Sequence, residues 1–178
     1  MKDKTKTYGA ILGTILFILL ISSITYAALS WQSNKININL NSGCFDIYYD
    51  KGQDISGQLN PTNVYTDGLY ATIKINIKSS CTTSGKGTLY LETLSSTSSN
   101  LYREGLLNYQ VVKDGVATDL KGTITKSGEI ALDIGTLTKA SSASTTYKIY
   151  VWVNKDLLIN SDANSVYYGK ITATAIQG

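Results

Sequence analysis

The stretch Leu69-Tyr-Ala-Thr-Ile-Lys-Ile-Asn-Ile-Lys78 decides the fold class. Ala71, Ile73, Ile75 and Ile77 occupy every second position, with Thr72, Lys74 and Asn76 between them. Successive side chains of a strand point to opposite faces, whereas a helix returns to one face only after three or four residues. The segment therefore separates an aliphatic face from a polar one only as a β-strand, and its isoleucines favour that backbone.

The same period recurs on both sides of it. Lys35–Leu40 sets Ile36, Ile38 and Leu40 against Lys35, Asn37 and Asn39, and Phe45–Tyr49 and Thr88–Leu94 are further candidates. Tyr147–Val153 aligns Tyr147, Ile149, Val151 and Val153, and Tyr167–Ile176 alternates Ile171, Ala173 and Ala175 with Lys170, Thr172 and Thr174. Asn108–Lys113 and Val116–Thr118 flank Asp114-Gly115, the signature of a type I′ hairpin. Ser127-Gly128 is expected to join Gly122–Thr125 to Glu129–Ile134 in the same way. Eight to ten short strands predict an all-β fold, a two-sheet antiparallel β-sandwich of jelly-roll or Ig-like type, preceded by an N-terminal hydrophobic helix. No linker or composition shift divides residues 32–178, so residues 28–178 are expected to form one domain.

The N-terminus predicts export. Lys2, Lys4 and Lys6 precede the apolar run Ala10–Ile21, and small and polar residues return at Ser22-Ser23. The 12-residue run suits a signal peptide over residues 1–27, and Thr25-Tyr-Ala27 predicts cutting by signal peptidase between Ala27 and Ala28. The alternative is an uncut membrane anchor, since Ala10–Leu29 spans 20 residues with few polar interruptions. In both cases the lysines hold the N-terminus inside and place the rest of the chain outside.

Removing residues 1–27 takes three lysines and one aspartate from the chain's 16 basic and 13 acidic residues, leaving a net charge of +1. Nucleic acid, which demands a concentrated basic face, is not an expected partner. The chain has no histidine, so the common zinc sites and the Ser-His or Cys-His nucleophile pairs are unavailable, and no cofactor or metal is expected. Cys44 and Cys81 are expected to form one disulfide in an oxidising compartment, because predicted strand ends bring them together.

Three further patterns have simpler readings. Asp50-Lys-Gly-Gln-Asp54 offers two carboxylates to a calcium ion but reads more simply as a solvated turn. Glu92, Glu104, Glu129 and Asp133 supply carboxylates for glycoside hydrolysis, yet no spacing selects two of them, so no catalytic residue is assigned. Tyr48, Tyr49, Tyr65, Tyr70, Tyr90, Tyr102, Tyr109 and Trp152 suggest a sugar-stacking surface, against the plainer reading that tyrosine suits half-buried strands.

The lysine-led signal ending in Thr-Tyr-Ala27, the sandwich pattern, the Tyr147–Val153 strand and the closing Tyr168-Gly-Lys-Ile-Thr-Ala-Thr-Ala-Ile-Gln177 resemble the TasA/camelysin family of exported Gram-positive surface proteins. The resemblance covers both ends of the chain and reaches the middle only through strand pattern. It implies a jelly-roll-like sandwich that assembles into biofilm-matrix fibres or sits at the cell surface. It also implies a metalloprotease, which this chain cannot be by that route, since it has no His-Glu-x-x-His helix. The Cys44 and Cys81 pair departs from the family pattern and marks a divergent branch.

Two functions follow as expectations. The first is a non-enzymatic exported surface subunit, fibre-forming or adhesive, whose partners are further copies of itself or other surface proteins. Its assembly strand is expected to be the arm carrying Ile36, Ile38 and Leu40, which can complete a sheet edge in another copy. The second is a secreted or membrane-anchored glycan-binding module.

Overall fold

Alternation along the chain becomes two stacked sheets. The computed structural model describes residues 43–50, 52–79, 81, 84–138 and 144–177, all within one compact unit. Among them run β1 (Phe45–Asp50), β2 (Asp54–Gln58), β3 (Leu69–Ile77), β4 (Gly85–Thr93), β5 (Leu107–Lys113), β6 (Val116–Thr123), β7 (Gly128–Leu137), β8 (Ser144–Val153) and β9 (Val166–Gln177). One sheet has the order β1-β3-β8-β5-β6 and the other β2-β9-β4-β7. All the strand pairings are antiparallel, and the fold is a two-sheet β-sandwich.

The inward halves of the alternating strands make one core. Ile73 and Ile75 from β3, Ile149 and Val151 from β8, Leu89 and Leu91 from β4, and Ile171 and Ala173 from β9 are essentially inaccessible. Each large aliphatic side chain among them contributes about 1.5–3 kcal/mol relative to exposure. Core tyrosines also meet polar needs. The Ala173 N–H, beyond the end of β2 on that side of β9, donates to Tyr49 Oη at 2.9 Å across the layers. A free amide inside the sandwich is thereby satisfied. Tyr167 shares a hydrogen bond with Thr93 at 3.2 Å. Burial pushes the Tyr147 and Tyr167 hydroxyls up to about 12, with the Asp114 carboxylate adding to the shift at Tyr147.

Cys44 and Cys81 are disulfide-bonded, with Cα atoms 5.5 Å apart. The reason is register: β1 and β3 are antiparallel neighbours with Phe45 opposite Ile77, so the residue entering one strand lies beside the chain leaving the other. The bridge fits an oxidising, extracellular compartment. At the other end of the sandwich, Asp162 is buried and accepts from Arg103 Nη2, Asn100 Nδ2 and the Ile159 N–H.

The Asp114-Gly115 hairpin forms as expected, both residues having positive φ, 46° and 86°. The Ser127-Gly128 hairpin does not. β6 continues to Thr123 in the five-stranded sheet, whereas β7 pairs with β4 in the other. Ile124, 1% exposed, anchors the chain where it leaves the first sheet, its N–H donating to Leu107 O at 2.8 Å. β2 has no strand signal in the sequence, because Ile55 is its one aliphatic residue.

The predicted N-terminal helix, the Ala27–Ala28 cleavage point and the strand with Ile36, Ile38 and Leu40 lie outside the described residues. Among the described residues no helix is long and apolar enough to cross a membrane.

Candidate functional site

The outward halves of the strands differ between the two sheets, and the five-stranded one gathers aromatic rings. Pairing places Tyr70 of β3 opposite Tyr150 of β8, Tyr150 opposite Gln110 of β5, and Gln110 opposite Lys121 of β6. One step along, Thr72, Lys148 and Val112 line up, and Trp152 stands opposite Asn108. The Tyr70 and Tyr150 ring centroids are 5.4 Å apart at 39°.

Tyr65 completes the cluster from a single 3-10 turn, Tyr65–Asp67. Its ring lies 5.4 Å from Tyr150, edge-on at 71°, and 6.3 Å from Trp152. The turn is held locally, since the Thr62 N–H donates to Val153 O at 2.9 Å and Thr62 Oγ1 donates to Asp67 Oδ2 at 3.2 Å. It also closes directly onto β8. A Cβ at Gly68 would come within 2.4 Å of Val151 O and 2.9 Å of Trp152 Cβ, so glycine is required for the approach.

The rings are accessible to different degrees: Tyr70 is 46% exposed, Tyr65 and Trp152 are half-buried, and Tyr150 forms the floor at 8%. Lys148 Nζ lies 5.2 Å from the Tyr70 centroid, a cation–π contact. Beside the rings, between the Tyr65 turn and the Asp114-Gly115 hairpin, is a cavity of about 170 Å³ reached by Tyr65, Tyr150, Lys148 and Thr146. That is below the roughly 300 Å³ at which drug-sized sites begin, and it suits one end of a ligand.

A larger cavity, about 320 Å³, opens at the Asp162 end between Leu59, Leu101, Val153, Leu158 and Ile159. Its buried carboxylate and Ser165 are already engaged. The Asp162 carboxylate has the three donors described, and Asn100 donates to Ser161 O and Ser165 Oγ at 2.9 and 2.7 Å. The four-stranded sheet's outer face carries Thr88, Thr172 and Thr174 around Tyr90, and a row in which Asp54, Lys170, Glu92 and Glu129 stand opposite one another.

The residues singled out in the sequence thus separate. Cys44 and Cys81 come together. Tyr65, Tyr70 and Trp152 join one cluster, with Tyr48 exposed on β1 of the same face, whereas Tyr49 and Tyr109 point into the core and burial raises the Tyr109 pKa. Tyr90 is on the opposite face, and Tyr102 packs against the core at the Asp162 end. Glu92 and Glu129 are register neighbours, Asp133 Oδ1 accepts from the Gly135 N–H at 2.8 Å, and Glu104 is exposed in a separate turn. Asp50 ends β1 and Asp54 begins β2, so the supposed calcium turn is divided between the two sheets. Sequence reading passed over Lys148 and Tyr150. Their signal was present as the outward half of Tyr147–Val153, where Lys148, Tyr150 and Trp152 follow at every second residue.

No family model and no curated protein matches the chain. Similar solved structures include the C-terminal domain of EclA, described as a sugar-binding protein, at 9% identity and TM-score 0.39 over 70% of this chain and 80% of that one. A CBM35 from Cellvibrio japonicus Abf62 is 12% identical at TM-score 0.37, covering 74% of this chain and 93% of its own. The VP2 subviral particle of infectious bursal disease virus is 16% identical at TM-score 0.41, over 77% of this chain and 34% of that chain. Likenesses this low carry no argument about ligand or assembly.

Proposed function

We propose that the chain is an exported, non-enzymatic binding module displayed at the cell surface, and that the outer face of its five-stranded sheet holds carbohydrate. The observation that carries this reading is the cluster of Tyr65, Tyr70, Tyr150 and Trp152, with neighbouring rings 5.4–6.3 Å apart on a solvent-facing sheet. Aromatic faces are electron-rich and apolar. A sugar ring offers them the apolar C–H side that water solvates poorly, while its hydroxyls stay hydrated at the rim. The disulfide and the resemblance to TasA/camelysin proteins support the surface setting.

Affinity electrophoresis of the full chain through gels containing neutral and acidic polysaccharides tests the site. At least one polymer is expected to retard the protein, and Trp152→Ala or Tyr70→Ala to weaken retardation by roughly tenfold. Retardation by none of the polymers, or retardation indifferent to both substitutions, overturns the reading.

Self-assembly into surface fibres is the second reading, favoured by two edge strands that have no further partner strand among the described residues. β6 and β7 are interrupted by register shifts and carry Asp119, Lys121, Glu129 and Asp133, devices that discourage edge pairing. β1 and β2, the other edges, have regular register against β3 and β9. Negative-stain microscopy and sedimentation of the chain, with and without residues 28–40, separate fibres dependent on that arm from a monomer.

A further inference from the structure

We infer that the carbohydrate held by this face is acidic, and that Lys148 receives its anionic group. The inference rests on the carbohydrate reading and narrows it. Lys148 Nζ is held by the Tyr70 ring, 5.2 Å from its centroid, and its cross-strand neighbours, Thr72 and Val112, are neutral. Lys74 lies diagonally across β3, opposite Tyr48 and Thr146, and Lys121 closes the row of Tyr70, Tyr150 and Gln110. Among the described residues none of these three lysines is in an ion pair.

Of the carboxylates near this face, one is in an ion pair, two accept from uncharged donors and keep their charge, and Asp119 stands on β6 two residues before Lys121. Asp46 pairs with Lys78 at 3.5 Å, Asp114 Oδ1 accepts from the Thr146 N–H at 2.8 Å, and Asp67 Oδ2 accepts from Thr62. Asp50 shares a row with Thr72 and Lys148 but lies two strands from Lys148, about 10 Å at ordinary strand spacing. Beside the rings, Lys148 is thus a cation held by an aromatic face rather than by a carboxylate. A neutral sugar leaves that charge as it was. A carboxylate, sulfate or phosphate on the sugar forms a charge-assisted hydrogen bond with the ammonium at the mouth of the Tyr65 cavity, while the ring stacks on Tyr65 and Trp152. An ammonium is a point charge without the fork of arginine, so it selects the anion's charge rather than its planar geometry.

Polygalacturonate and its fully methyl-esterified form share a backbone and differ in charge, which makes them the probes. With the full chain, the acid polymer is expected to bind about tenfold tighter than the ester. Lys148→Gln should abolish that difference, Trp152→Ala should weaken both, and raised salt should weaken only the acid form. Equal binding of the two polymers, or a preference that Lys148→Gln leaves intact, overturns the acidic-ligand inference while leaving the carbohydrate platform standing. Acid binding that survives both Trp152→Ala and Tyr70→Ala is adsorption of a polyanion, and it overturns the inference as well. Failure to bind these and every neutral polymer overturns the platform itself.

Discussion

The two outer faces of the sandwich are built from strands of the same period over a common core, and they differ in how they group aromatic rings and charges. The five-stranded face clusters tyrosines and a tryptophan beside Lys148, which is in no ion pair among the described residues. The four-stranded face sets threonines beside opposed charges of both signs, as in the row of Asp54, Lys170, Glu92 and Glu129. Inward residues are constrained by packing on both layers alike, whereas outward residues are free to diverge. A difference between faces therefore speaks about binding, and a property they share speaks about the fold.

The largest effects should fall on both faces equally. Replacing both cysteines, Cys44→Ser with Cys81→Ser, removes a cross-link over 37 residues and is expected to cost about 4 kcal/mol in the chain-entropy treatment, read as a lower denaturation midpoint. Fluorescence from Trp152 and exchange of the β4 and β9 amides should report one shared transition. Separate transitions would show that the sheets do not stabilise each other.

Alkaline pH should act on the shared core with a smaller effect, on the order of 2 kcal/mol for each buried tyrosine. Tyr147 and Tyr167 hold their protons up to about 12 in the folded chain, against an ordinary value of 10.0. The folded state then binds more protons than the unfolded one across that interval. Stability is complete below pH 10 and falls as pH rises towards 12. In Tyr167→Phe, pH-dependent unfolding should be shallower over this window, and an unchanged slope would remove Tyr167 from the account.

Gly68→Ala should separate the faces. Its Cβ would press on Val151 O, so the turn bearing Tyr65 must shift, at a cost of about 1–3 kcal/mol. Ligand retardation should fall while the amides of β4 and β9 keep their exchange order. The smallest stability changes are expected for Tyr70→Ala and Thr174→Ala, each within about 1 kcal/mol on exposed sheet surface. Only Tyr70→Ala should affect carbohydrate, and equal binding loss in the two variants would erase the distinction between faces.

The inward residues were legible because their signal is local. Ile73, Ile75 and Ile77, or Ile149, Val151 and Val153, announce a strand within a few residues, and the Asp114-Gly115 turn declares its hairpin through two residues that accept positive φ. The disulfide was equally legible, since two cysteines in a sequence that reads as exported allow one internal pairing. β2 was not, because Ile55 alone carries no period. The Ser127-Gly128 turn misled for a related reason: a turn signal records that the chain reverses, and not whether the next strand joins the same sheet.

By itself, then, the sequence determined most of the strands, the buried half of the strongly alternating ones and the covalent clamp, all set by period, composition or cysteine number. The tertiary structure alone decided which outward residues share a surface. Tyr65 and Tyr70 meet Tyr150 and Trp152 only because β3 lies beside β8. That pairing closes a long loop whose entropy is offset by the whole core rather than by any local pattern.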